Sequence, residues 1–110
     1  MKPAINIAKD FSRYPAGRYE SDGDYNGEKF RTTFLLEPLK QKTHVKIIFD
    51  GARGYGSSFL EEAFGGLIRL NFSKNEILET FEFESNDDPT LPDEIEGYID
   101  DALAEAKDEG

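Results

Sequence analysis

Residues 44–70, HVKIIFDGARGYGSSFLEEAFGGLIRL, constrain the fold more than any other stretch, because they join a buried strand to an amphipathic helix through a glycine-rich turn. Val45, Ile47, Ile48 and Phe49 form a short apolar run rich in β-branched side chains. Such a run predicts a central strand covered on both faces by helices. Asp50 and Gly51 end the run, and Gly54, Tyr55 and Gly56 carry the chain to Ser57 and Ser58. Ser58 followed three residues later by Glu61 has the spacing of a capping box, so a helix is expected to open there. Along it Phe59, Leu60, Ala63, Phe64, Leu67 and Ile68 recur at the helical period, while Glu61, Glu62 and Arg69 fall off that face. Gly65 and Gly66 each cost about 1 kcal/mol relative to alanine in mid-helix. Close approach to the sheet or to another helix is the expected reason, with a hinge as the other reading.

The remaining elements follow from the same rules. Ile5 and Ile7 alternate with Asn6, which suits a short first strand. Residues 13–26 mix Pro15, Gly17 and Gly23 with Asp and Ser, the signature of a long surface loop. A helix over residues 27–37 follows, with Asn26 as its N-cap and Phe30, Thr33, Phe34 and Leu36 as its buried face. Pro38 either stops it or begins a new turn. After a turn at residues 71–75, the alternation of Ile77, Phe81 and Phe83 predicts a strand over residues 77–84. Pro92 suits the first turn of a last helix, in which Ile95, Tyr98, Ile99, Ala102, Leu103 and Ala106 share a face. The order implies an α/β fold: one domain over residues 1–110, with a small mixed β-sheet packed against three to four helices.

Charge is informative by position. Residues 1–70 hold eleven Lys/Arg and nine Asp/Glu, whereas residues 71–110 hold two and fourteen, within a net charge of −10. An acidic C-terminal third disfavours nucleic-acid backbones and anionic membranes as partners and reads first as a solvated face, with a decoy for a basic partner as the weaker idea. The absence of cysteine removes disulfides, thiolate metal sites and a cysteine nucleophile. No apolar run reaches the length of a membrane span, and the first residues lack the apolar stretch of a secretory signal, so a cytoplasmic location is expected.

Four stretches invite a chemical reading. Asp22, Asp24, Asn26 and Gly27 spell the first half of a calcium loop, but Thr33 stands where the bidentate carboxylate belongs and Lys29 where an apolar anchor belongs, so an Asx-turn is expected and no metal. The glycine turn lacks the Gly-Lys-Ser/Thr of a phosphate loop, and its glycines are expected to serve the chain reversal. His44 has no second histidine or cysteine to join it in a metal or catalytic set. Asp50, at the C-terminal end of the central strand, is either a site residue or a satisfier of turn amides. Ser57 and Ser58 have two readings as well. They cap the helix, or they receive a phosphoryl group at the positive end of the helix dipole with Arg53 nearby.

The segment FDGARGYGSSFLEEAFGGLIRL resembles the STAS-like family of small bacterial and phage domains of unassigned function, in a strand ending in Asp followed by G-S-S-F-x-x-E-A-F-G-G-L. The preceding PAGRYESDGDYNGEKFRTTFLLEPL is similar too, in a G-R followed later by N-G-E-x-F-R. The resemblance implies a βα sandwich like that of the anti-sigma-factor antagonists and a regulatory role beside histidine-kinase-like ATPases. In those antagonists the helix opens with D-S-S-G and its second serine is phosphorylated, which places the switch at Ser58; here Gly56 replaces the Asp and Phe59 the Gly. The expectation is a non-enzymatic regulatory domain without cofactor that binds a protein partner through Arg53, Gly54, Tyr55, Gly56 and Phe59, with Ser58 and Ser57 as phosphorylation candidates. The alternative is a small-ligand or nucleotide-binding protein or enzyme using Asp50, the glycine turn at residues 51–56 and Arg18.

Overall fold

Three strands form the centre: β1 (Ala4–Asn6), β2 (Val45–Ile48) and β3 (Phe81–Glu84). They lie in the order β1-β2-β3, both pairs parallel, with Ile5 opposite Ile47 and Ile47 opposite Phe83. The computed structural model describes residues 3–109. The sheet is therefore parallel throughout, not mixed, because every strand is followed by helix and each connection must be a crossover. Two successive crossovers of the usual right hand, stepping the same way across a sheet, put both sets of helices on one face. The burial pattern agrees: Val45 and Ile47 are buried, whereas Lys46 and Ile48 are half-exposed. The expected covering of both faces is thus corrected to one. Lys46 lies on the open face and pairs there with Glu84 at 3.1 Å and Glu82 at 3.7 Å.

Four helices complete the domain, with a helical turn at Ile7–Phe11 and a short 3-10 turn at Glu20–Asp22. Helix α1 (residues 27–41) starts as read, with Asn26 Oδ1 accepting from the Lys29 amide at 2.8 Å. It runs through Pro38 to Gln41, and its middle, Arg31–Leu35, is widened to the π-helical repeat. There the Leu36 amide bonds five residues back to the Arg31 carbonyl. This extra residue per turn rotates the inner face, so Arg31, Leu35 and Leu39 are buried beside Phe30 while Thr33 is exposed.

Helix α2 (residues 57–69) buries all six predicted apolar residues and is widened likewise at Glu61–Gly65. Helix α3 (Lys74–Thr80) replaces the first half of the predicted strand. Ser73 and Glu76 cap it reciprocally, Oγ accepting from the Glu76 amide at 3.1 Å and Glu76 Oε1 from the Ser73 amide at 2.9 Å. Ile77 and Phe81 stand four apart, a spacing that fits strand alternation and the helical period alike, and Ile77 is helical. Helix α4 (Leu91–Glu109) buries Ile95, Ile99 and Ala102 against α2, leaving Ala106 exposed. Between the sheet and α1 and α2 lies an aromatic core, with Phe30 5.7 Å from Phe59, Phe49 6.3 Å from Phe64 and Phe64 5.4 Å from Phe83.

Candidate functional site

The junction between β2 and α2 is held by few but specific bonds. Gly51 (φ 96°) and Gly54 (φ 129°) adopt backbone conformations that favour glycine. Asp50 accepts from the amides of Asn86 and Asp87, both at 2.7 Å, and from Asn86 Nδ2 at 3.0 Å; Asp87 in turn accepts from the Gly51 amide at 3.0 Å. The Asp87 amide and the Asn86 donors favour the ionised form, so the Asp50 carboxyl lies below its ordinary value. Asp50 thus serves donors of the β3–α4 loop, not the amides of its own turn. Tyr55 turns inward: its hydroxyl donates to the Phe49 carbonyl at 2.7 Å and its ring stands edge-on to Phe49 at 5.4 Å. Burial, aided by the nearby charges of Asp50 and Asp87, pushes its phenol well above the ordinary range.

Beyond Tyr55 the surface opens. Arg53, Gly54, Gly56, Ser57 and Ser58 are exposed, whereas Phe59 is wholly buried and offers nothing to a partner. The expected capping box is not formed. Gly56 is the N-cap of α2, no side chain caps its amides, and the Glu61 carboxylate points elsewhere. Ser57 and Ser58 therefore carry hydroxyls outside any capping role.

The calcium half-motif is consumed by its own loop. Asp22 accepts from the amides of Arg18 and Tyr19 at 2.9 and 3.1 Å, and Asn26 both caps α1 and donates to the Gly23 carbonyl at 2.9 Å. His44 Nδ1 lies 2.9 Å from the Glu79 carbonyl. Among the described residues no group of three or more His, Cys, Asp or Glu is placed to hold a metal.

The densest chemistry lies away from the junction. Arg31, from the widened turn of α1, donates to Glu62 Oε2 at 2.9 Å and also to the Glu62 backbone carbonyl. That carbonyl is open because the Gly66 amide bonds five residues back to Glu61 and passes it over. Glu62 is only 4% exposed and Arg31 only 8%. Arg69 grips Glu61 through two bonds of 2.8 and 3.2 Å and reaches Glu62 at 3.3 Å. Arg18 joins from the long loop, donating to Glu61 and, at 3.4 Å, to Glu62. Burial is the largest influence on Glu61 and opposes its charge, but the bonds from Arg69 and Arg18 together outweigh it, so its carboxyl lies below the ordinary value.

The tandem glycines make room for this cluster. A methyl group at Gly66 would overlap the Arg31 guanidinium, and one at Gly65 would overlap the Glu61 carboxylate. Gly27 has a helix-packing role: its added carbon would lie 2.6 Å from the Phe59 carbonyl of α2. Two adjacent mid-helix glycines, each costly by propensity, were the one signal in the sequence that pointed here. Together with Tyr19, Ser57, Tyr98, Asp101 and Glu105, the cluster lines an open cleft of about 490 Å³.

The family model described as STAS-like domain of unknown function (DUF4325) matches residues 26–91. The chain belongs to this family. Within the matched residues Arg31 lies far from Glu62 and Gly66 in the chain yet meets them in one cluster, which Arg18 joins from outside that range. No curated protein and no solved structure matches the chain significantly. No helix among the described residues of this STAS-like domain is long and apolar enough to cross a membrane.

Proposed function

We propose that this STAS-like domain is a non-enzymatic regulatory module that binds a protein partner, a histidine-kinase-like ATPase, through the junction of β2 and α2, with phosphorylation of Ser58 or Ser57 as the switch. The observation that carries the reading is the pair of exposed serine hydroxyls in the first turn of α2, neither used as a cap. A phosphoryl group there would meet free helix amides and the positive end of a helix of thirteen residues, residues 57–69. Arg53 and the glycine turn supply the rest of the contact surface, pinned from beneath by Tyr55 and by Asp50. Phe59 supports that surface from within the core. The small-ligand alternative is weakened by the same geometry, since Asp50, the Gly51 amide and Arg18 are all already bonded.

Co-purification from the native host, with mass spectrometry of captured proteins and of the chain's own serines, tests the reading. Wild type should recover one kinase-like partner, and Ser58→Asp or Arg53→Glu should reduce recovery while Ser58→Ala retains it. Recovery of no partner, or equal recovery by all four proteins, would sink the proposal.

A further inference from the structure

We infer that the cleft between the long loop, α2 and α4 receives a lysine or arginine side chain from a basic segment of a partner protein. This rests on the reading of the chain as a protein-binding module and adds the chemistry of what it binds. The cleft holds two arginines, and both are ion-paired. Arg18 and Arg69 are both engaged by Glu61 and Glu62, which hold Arg31 as well. The carboxylates on the opposite wall are unspent: Asp101 and Glu105 are exposed and have no ion-pair partner among the described residues. They stand four apart on α4, so their charges face each other across one turn and repel. A cation between them relieves that repulsion, whereas an anion adds to it.

The walls are also suited to a cation. Tyr19 from the loop, 46% exposed, and half-buried Tyr98 from α4 present aromatic rings at the same opening. Aromatic faces attract lysine and arginine, and more strongly as water is excluded. The surrounding field favours the same sign, since residues 71–110 carry fourteen acidic against two basic side chains. A partner's basic segment would cross the cleft beside Ser57, which also lines it.

The test titrates the ¹⁵N-labelled chain with an acetylated Gly-Arg-Gly-Arg-Gly peptide and with the same peptide carrying citrulline for arginine. Amide shifts should cluster around residues 18–19 and 98–105 with the arginine peptide and be absent with citrulline. Asp101→Asn with Glu105→Gln should weaken binding about fivefold or more. Asp24→Asn with Glu79→Gln, which removes equal charge at exposed sites away from the cleft, should leave it within about twofold. Equal loss in both pairs would reduce the effect to net charge and overturn the inference, as would shifts centred elsewhere or no shifts at all. Retention of the native-host partner by the Asp101/Glu105 pair together with its loss by Arg53→Glu would reject the cleft and keep the junction. The reverse pattern would reject the junction and keep the cleft.

Discussion

Gly65 and Gly66 are neighbours with different duties, and alanine at each should separate them. At Gly66 the new methyl would force the Arg31 guanidinium off Glu62, leaving a nearly buried cation without its carboxylate and Glu62 with only its longer bonds from Arg69 and Arg18. Gly66→Ala is expected to destabilise by about 2–4 kcal/mol, the loss of a buried pair less about 1 kcal/mol of gained helix propensity. At Gly65 the obstacle is the end of the Glu61 side chain, which can swing toward solvent, so Gly65→Ala should change stability by less than about 1 kcal/mol in either direction. Urea unfolding of both variants checks the contrast, and equal destabilisation would contradict it.

Glu61 also gives the molecule an acid dependence with a definite sign. Its carboxyl lies below its ordinary value of 4.5, and those of Asp50 and Asp22 lie below 3.8, chiefly through the amides of Asp87 and Arg18 respectively. The unfolded chain thus binds more protons than the folded one between the lowered and the ordinary values. The stabilisation is complete above the ordinary values and is lost as the pH falls through the lowered ones. Urea midpoints should hold between pH 7 and 6 and drop below about pH 4.5, with a shallower drop for Glu61→Gln. An unchanged slope in that variant would remove Glu61 from the account.

Among the elements, helix starts were legible only where the cap was read correctly. Asn26 caps α1 as its place in the sequence indicates, and its amide group also ties down Gly23 from a site 2% exposed. Asn26→Ala should therefore cost about 2 kcal/mol, at the upper end for caps, because a buried polar contact is lost as well. Ser73 falls in the stretch 71–75 that reads as a turn, yet it forms the capping box that Ser58 does not. Ser73→Ala should cost about 1 kcal/mol, whereas Ser58→Ala should be close to neutral, both measured by urea unfolding. An effect of Ser58→Ala as large as that of Ser73→Ala would mean that Ser58 does cap α2. The difference lies in where the glutamates go: Glu76 bends back to its own cap, while Glu61 is drawn away by Arg18 and Arg69.

At the scale of the whole molecule, the strand-turn-helix unit, the α/β layering and the family were readable from the sequence, because hydrophobic period and glycine placement report local geometry directly. The ionic cluster was not readable. Arg18, Arg31 and Glu62 lie on three elements, and only the fold brings them together. The one-sided sheet was hidden for a related reason: Val45 to Phe49 look continuously apolar, and the Lys46 that betrays the open face was outweighed by its neighbours. The widened turns in α1 and α2 escaped as well, since a π-turn differs from an α-turn by a single residue and no composition marks it.

Those two irregular turns are interdependent. Arg31 leaves one of them, and the carbonyl it reaches is left vacant by the other. Removing one residue from 32–35 would restore regular spacing and swing the Arg31 guanidinium roughly 100° around the helix axis, away from Glu62. Changes of length in this family should therefore be tolerated in the long loop and in the loop before α4, and be excluded from both windows at once.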